Sequence, residues 1–175
     1  NDNFETTVLK DGRLLTISRQ LLPDQEDPML AVMRPDGTKA DMFYRGAKGN
    51  TLASGAHETA DGRIVFIESD NENRTAGRMV SVSYNRPLHN RIDLTSGIDG
   101  DFYNVLPLRT DKYLVSYRKS DSDRFALYEF DPEKKALGHM VFSNPGYNVL
   151  DVVIPEECER PKKLPSEVDM HVKTG

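Results

Sequence analysis

Apolar positions along this chain come in short runs, and the runs repeat. Residues 13–18, 63–68 and 113–117 alternate between apolar and polar or are apolar almost throughout, and they are rich in β-branched and aromatic side chains. Those are the patterns of strands buried on one face or on both. The punctuation before each run repeats too. Asp11-Gly12-Arg13, Asp61-Gly62-Arg63 and Asp111-Lys112-Tyr113 follow one another at intervals of 50 residues. An Asp-Gly pair, or its Asp-Lys variant, is how a tight hairpin feeds the second of two paired strands.

The rest of each period completes the same unit. Polar loops at residues 23–28, 70–77 and 119–123 carry turn formers. Third strands are expected at 29–33, 78–84 and 125–130, each closed by a proline-containing turn: Arg34-Pro35-Asp36-Gly37, Asn85-Arg86-Pro87-Leu88 and Asp131-Pro132-Glu133-Lys134. Fourth strands return at 39–44, 91–94 and 137–142. A short opening strand precedes each unit, at 5–9 in the first. Tyr103-Asn104-Val105-Leu106 recurs as Tyr147-Asn148-Val149-Leu150, which predicts a strand opening a further unit. No apolar period of 3.6 is sustained long enough for a helix.

Four antiparallel strands per period of about 40 to 50 residues describe a β-propeller blade. The expected fold is all-β, with three blades over residues 4–158 (4–50, 51–102 and 103–158) and a proline-rich extended tail or linker over 159–175. The alternative is a β-sandwich whose turns recur by coincidence.

The Asp-Gly-Arg and Pro-Asp-Gly turns around apolar strands resemble the TolB-type propeller repeat. The third copy, from Leu106-Pro107-Leu108-Arg109-Thr110-Asp111 through Asp123-Arg124-Phe125-Ala126-Leu127-Tyr128, and the tail from Arg160-Pro161 to Asp169 resemble the propeller region of proteins related to the hydrazine synthase alpha subunit. That resemblance implies a multidomain, exported parent, periplasmic or extracellular, and a chemistry carried by c-type haems outside the blades. It implies no catalytic residue here.

Charge and composition narrow the partners. The net charge of -5, with acids and bases interleaved, offers no broad positive field for nucleic acid. The longest apolar runs fall far short of the roughly 20 residues of a membrane span. One cysteine, Cys158, gives neither an intrachain disulfide nor a Cys-x-x-Cys-His haem attachment. The start at Asn1, without methionine or a signal-like segment, reads as a fragment.

Binding residues concentrate on loops held by a rigid scaffold, which directs attention to the segments entering each inner strand. Ser54, His57, Tyr103, Asn104, Tyr147 and Asn148 are the candidates for one channel mouth; the competing role for Tyr and Asn there is turn capping and packing. His57-Glu58 lacks the second histidine of a zinc protease helix, and His89, His139 and His171 are scattered, so no metal site is expected. Acidic loops at Glu68, Asp70, Asn71, Glu72 and Asn73 and at Asp99-Gly100-Asp101 do not match a calcium loop and read as solvated surface.

Ser54 and Ser96 lack a nucleophile elbow, and Glu157 and Glu159 would keep the Cys158 thiol protonated. Asn73-Arg74-Thr75 fits a glycosylation pattern that arises often by chance. Arg74, Arg78, Arg118 and Arg124 could clamp a carboxylate, with ion pairs to Asp121 or Asp123 the more ordinary outcome. The expectation is a module with no catalytic residue and no cofactor of its own. Its partners would be other domains or missing blades of the parent, or a second copy. The alternative is a piece of a haem- or metal-dependent oxidoreductase whose catalytic groups lie elsewhere.

Overall fold

The computed structural model describes residues 2–19, 28–46, 51–70, 75–155, 157, 159–169 and 171. Among them are three antiparallel sheets and no helix. The first sheet is β1 (Asp2–Val8), β2 (Leu14–Arg19), β3 (Met29–Met33) and β4 (Asp41–Tyr44). The second is β5 (Thr51–Leu52), β6 (His57–Glu58), β7 (Arg63–Ser69), β8 (Arg78–Ser83) and β9 (Ile92–Asp93), with β5 and β6 both pairing β7 as two halves of one interrupted strand. The third is β10 (Asp101–Pro107), β11 (Tyr113–Arg118), β12 (Ala126–Asp131) and β13 (Ala136–Phe142). Each sheet keeps its strands in chain order. That is the meander of a propeller blade, without the crossing connections of a sandwich.

The hairpin turns explain the repeat. In the first two blades a three-residue loop is closed by Leu9 N–H to Arg13 C=O and Thr59 N–H to Arg63 C=O, both 2.8 Å. Its last residue takes positive φ, 89° at Gly12 and 80° at Gly62, which glycine adopts without strain. The third turn departs from the Asp111-Lys112 pair expected from the sequence. Leu108 N–H bonds Lys112 C=O, so the loop is 109–111 and Asp111 itself takes the left-handed position at φ 57°. The hairpin is one residue pair longer, and the short polar aspartate tolerates the conformation.

Packing follows the period of two. Along β7, Ile64 and Phe66 enter a core shared with Leu15, Ile17, Leu30 and Tyr44 of the first blade. Val65 and Ile67 enter a second core with Phe102, Val105, Val115 and Phe130 of the third. The middle blade is buried on both faces, which is why its strand is almost wholly apolar. The third blade is joined further by a reciprocal pair of bonds, Gly77 N–H to Phe102 C=O at 2.8 Å and Phe102 N–H to Gly77 C=O at 2.9 Å.

Residues 147–150 do not form the strand expected from their likeness to 103–106. They lie against the third blade: Val149 N–H bonds Phe125 C=O at 2.9 Å, and the Ser116 hydroxyl donates to Val149 C=O at 2.5 Å. Residues 151–155 bring no partner strand, and an inner strand needs one on its hydrogen-bonding edge.

The chain then returns to the first blade across the face carrying the hairpin turns. Arg109 donates to Glu157 C=O, and Lys162 N–H reaches Lys10 C=O at 3.2 Å. Beyond them, Arg34 donates to Pro165 C=O at 2.9 Å and pairs with Glu167 at 2.8 Å. The Asp36 carboxylate accepts from Glu167 N–H at 2.8 Å and the Ser166 hydroxyl at 2.9 Å. Hydrogen bonds from Thr38 first, then from Glu167 and Ser166, hold the Asp36 carboxyl well below the usual range.

Candidate functional site

The opening strands of the three blades all break register at the same level. Leu15, Val65 and Val115, one per repeat, pair with Thr7, His57 and Val105. Just before those partners lie the irregularities, between Phe4 and Thr7, between β5 and β6, and between Phe102 and Asn104. A bulge re-aims the side chains it carries. Glu5, Ser54-Gly55 and Tyr103 occupy these three bulges, with Glu5 at φ 51°.

The first two bulged segments meet: the Glu5 side chain lies against Gly55, where an added Cβ would be 2.8 Å from a Glu5 oxygen. Asn104 donates to Asp151 at 2.5 Å while its own oxygen accepts Val105 N–H at 2.7 Å. Partial burial of the carboxyl, on a residue otherwise exposed, pushes the Glu5 pKa up; the Gly55 amide opposes that and the nearby Asp151 charge adds to it. The Tyr103 phenol is likewise raised by burial, then by Asp151 and Glu5. The Glu5 and Asp151 carboxyls and the Tyr103 phenol thus lie within electrostatic reach of one another, and Asn104 bonds Asp151, a set suited to hydrogen-bonding a polar group.

Of the six residues expected at the mouth, Tyr103 and Asn104 belong to this cluster. Ser54 lies beside it, 5% exposed, its hydroxyl without a partner among the described residues. His57 stands one step further along, in β6, where burial lowers its pKa; its neighbour Glu58 accepts Lys10 N–H at 2.7 Å. Tyr147 is exposed, and Asn148 caps Phe125 N–H at 3.0 Å. Asn148 alone reaches the cluster, indirectly, since the Phe125 ring meets Tyr103 edge-on at 5.7 Å. Neither Glu5 nor Asp151 is legible in the sequence: a bulge leaves no mark in the apolar pattern, and the approach of the segment after β13 leaves none either.

The acidic loop takes a different form from the expected one. Glu68 is a strand residue, 1% exposed, accepting from Tyr44 at 2.5 Å and Arg91 at 2.6 Å. Asp101 pairs with Arg118 at 2.8 Å, and Arg118 also holds Asp121 at 2.5 Å. Arg78 bonds the carbonyls of Thr95 and Ile98. Asn71, Glu72, Asn73, Arg74 and Cys158 lie outside the described residues. Among the described residues, no three His, Cys, Asp or Glu side chains come together as metal ligands, and no helix is long and apolar enough to cross a membrane.

No protein-family model matches the chain. Hydrazine synthase subunit alpha of Kuenenia stuttgartiensis is 28% identical over 158 residues, 85% of this chain and 19% of that protein. A solved structure of Kuenenia stuttgartiensis hydrazine synthase superposes with a TM-score of 0.72 at 30% identity, covering 83% of this chain and 20% of the matched one. The chain, a set of propeller blades spanning about a fifth of that relative's length, is related in sequence and in fold to the hydrazine synthase alpha subunit.

Proposed function

We propose that the chain is a non-catalytic propeller module of a larger exported protein, periplasmic or extracellular, and that it serves as a scaffold for a polar ligand or a partner segment. The observation carrying this reading is the common level of the three bulges, which brings Glu5 and Tyr103-Asn104 to one end of their blades, with Asp151 from the segment after the third blade bonded to Asn104. No nucleophile–base pair stands among them, so recognition is the chemistry they support. The remaining blades of the ring would come from the rest of the parent or from a second copy. Replacing Tyr103 by Phe in the full-length parent, which keeps the ring contact with Phe125 and removes only the hydroxyl, tests the reading: partner or ligand retention should fall while the thermal midpoint stays close to that of the parent. Unchanged retention would overturn it.

A second reading follows from the resemblance to the hydrazine synthase alpha subunit: the blades complete a haem- or metal-dependent oxidoreductase whose catalytic groups lie elsewhere. Covalent c-type haem attachment requires a pair of cysteines and a histidine, and this chain has one cysteine, so its own residues do not fit that group. Cys-x-x-Cys-His segments in the parent, together with a haem absorbance band in the purified protein, would favour this reading. A parent lacking both would eliminate it.

A further inference from the structure

The turn of the first blade seals its junction with the second. Lys10, the first residue of that turn, donates its ammonium to the carbonyls of Thr59 at 2.9 Å and Ala60 at 3.1 Å. The residue in the same place on the second turn is Ala60, whose methyl cannot reach the third turn. A cavity of about 620 Å³ opens there between the second and third blades, within the size range of small-molecule sites.

The lining of this cavity is unevenly satisfied. Its three cations are already bonded: Arg63 to Ser81 and Asn90, Lys112 to Asp131, and Lys135 to the Asp93 carbonyl. Of its four acids only Asp131 has an ion pair; Asp61, Asp111 and Glu133 have none among the described residues, and Asp61 accepts only the Thr59 hydroxyl, on one of its two oxygens. Tyr113 also lines the cavity, 8% exposed, and its hydroxyl has no hydrogen-bond partner among the described residues. Burial, then the charges of Asp61 and Asp111 against that of Arg63, push this phenol up to about 12, so it stays protonated and its oxygen remains an acceptor. Leu94 and Leu108 supply apolar wall.

We propose that this cavity binds an alkylammonium group, its N–H donors shared among Tyr113, Asp61 and Asp111 and its methylenes lying over Leu94 and Leu108. The ligand places an ammonium at the second junction where Lys10 places one at the first. An ammonium has three donors and no acceptor, which matches a site whose unpaired groups are acceptors. The same chemistry could come from a free amine or from a lysine of a partner protein. The site is separate from the cluster of Glu5 and Asp151 and does not depend on its role.

The test is a titration of the ¹⁵N-labelled chain with cadaverine and, separately, with Nα-acetyl-lysine N-methylamide. Saturable shifts at Thr110, Tyr113 and Leu94 are expected for both, with tighter binding of the first pointing to a free amine and of the second to a partner's lysine. Ala60→Lys should fill the site from within and weaken binding about tenfold or more. Asp111→Asn should weaken it about tenfold, the size of one lost charge-assisted bond. The proposal is overturned by the absence of saturable shifts in the cavity. It is equally overturned by equal binding of the Nε-acetylated lysine amide, or by undiminished binding in a folded Ala60→Lys or Asp111→Asn protein.

Discussion

Glu68 is an acid with 1% of its surface exposed, and its neighbours account for that. The Tyr44 hydroxyl from the first blade and the Arg91 guanidinium both donate to it, while burial and then Glu68 itself push the Tyr44 phenol up. Glu68→Ala would leave both donors unpartnered at a blade junction, at a cost of about 3 kcal/mol, read as a lower denaturant midpoint. Glu5 makes the opposite contribution. Its folded pKa is raised above the usual 4.5, so its stabilising contribution is full below 4.5 and is lost as pH rises through the folded value. Glu5→Gln should therefore be more stable than the parent chain at neutral pH and lose that advantage at pH 4, as compared by thermal midpoints; lower stability at neutral pH would contradict the burial argument. Neither role shows in the sequence, where Glu68 ends an apolar run beside other acids and Glu5 sits in an ordinary opening strand. Both depend on which chain segment arrives from another blade.

At the level of elements the sequence was far more telling. Second strands, third strands and proline turns fall within a residue or two of the positions their periodicity predicts, because a buried strand must alternate or be apolar and a tight turn needs its glycine. Tyr147-Asn148-Val149-Leu150 copies an inner strand letter for letter yet lacks a partner strand among the described residues, and the third hairpin shifts its turn by one residue. The path of the tail over the first turn was invisible as well, and it yields a prediction. Gly12 and Gly62 share the same backbone conformation, but a Cβ on Gly12 would lie 1.8 Å from the Lys162 carbonyl oxygen, whereas one on Gly62 meets nothing within 4 Å. Each alanine variant should carry about 1 kcal/mol of left-handed strain. Gly12→Ala should lose more stability than Gly62→Ala and should raise hydrogen exchange in residues 160–167. Equal losses, with exchange unchanged, would show that the tail does not bear on the turn.

For the whole molecule the issue is closure. Propellers close with typically four to eight blades, and three form an arc. The middle blade is apolar on both faces. Exposed large apolar side chains among the described residues include Phe4, Val8 and Met42 on the first blade and Met140, Val141, Phe142 and Tyr147 on or beside the third. Surface of this kind on an open arc invites further sheets. The measurement that bears most directly on the arc is sedimentation velocity of the 175-residue chain over a range of concentrations, with Phe142→Lys alongside. The chain should associate as its concentration rises, and Phe142→Lys should shift that association to higher concentration. A compact monomer at every concentration would contradict an arc that awaits further blades.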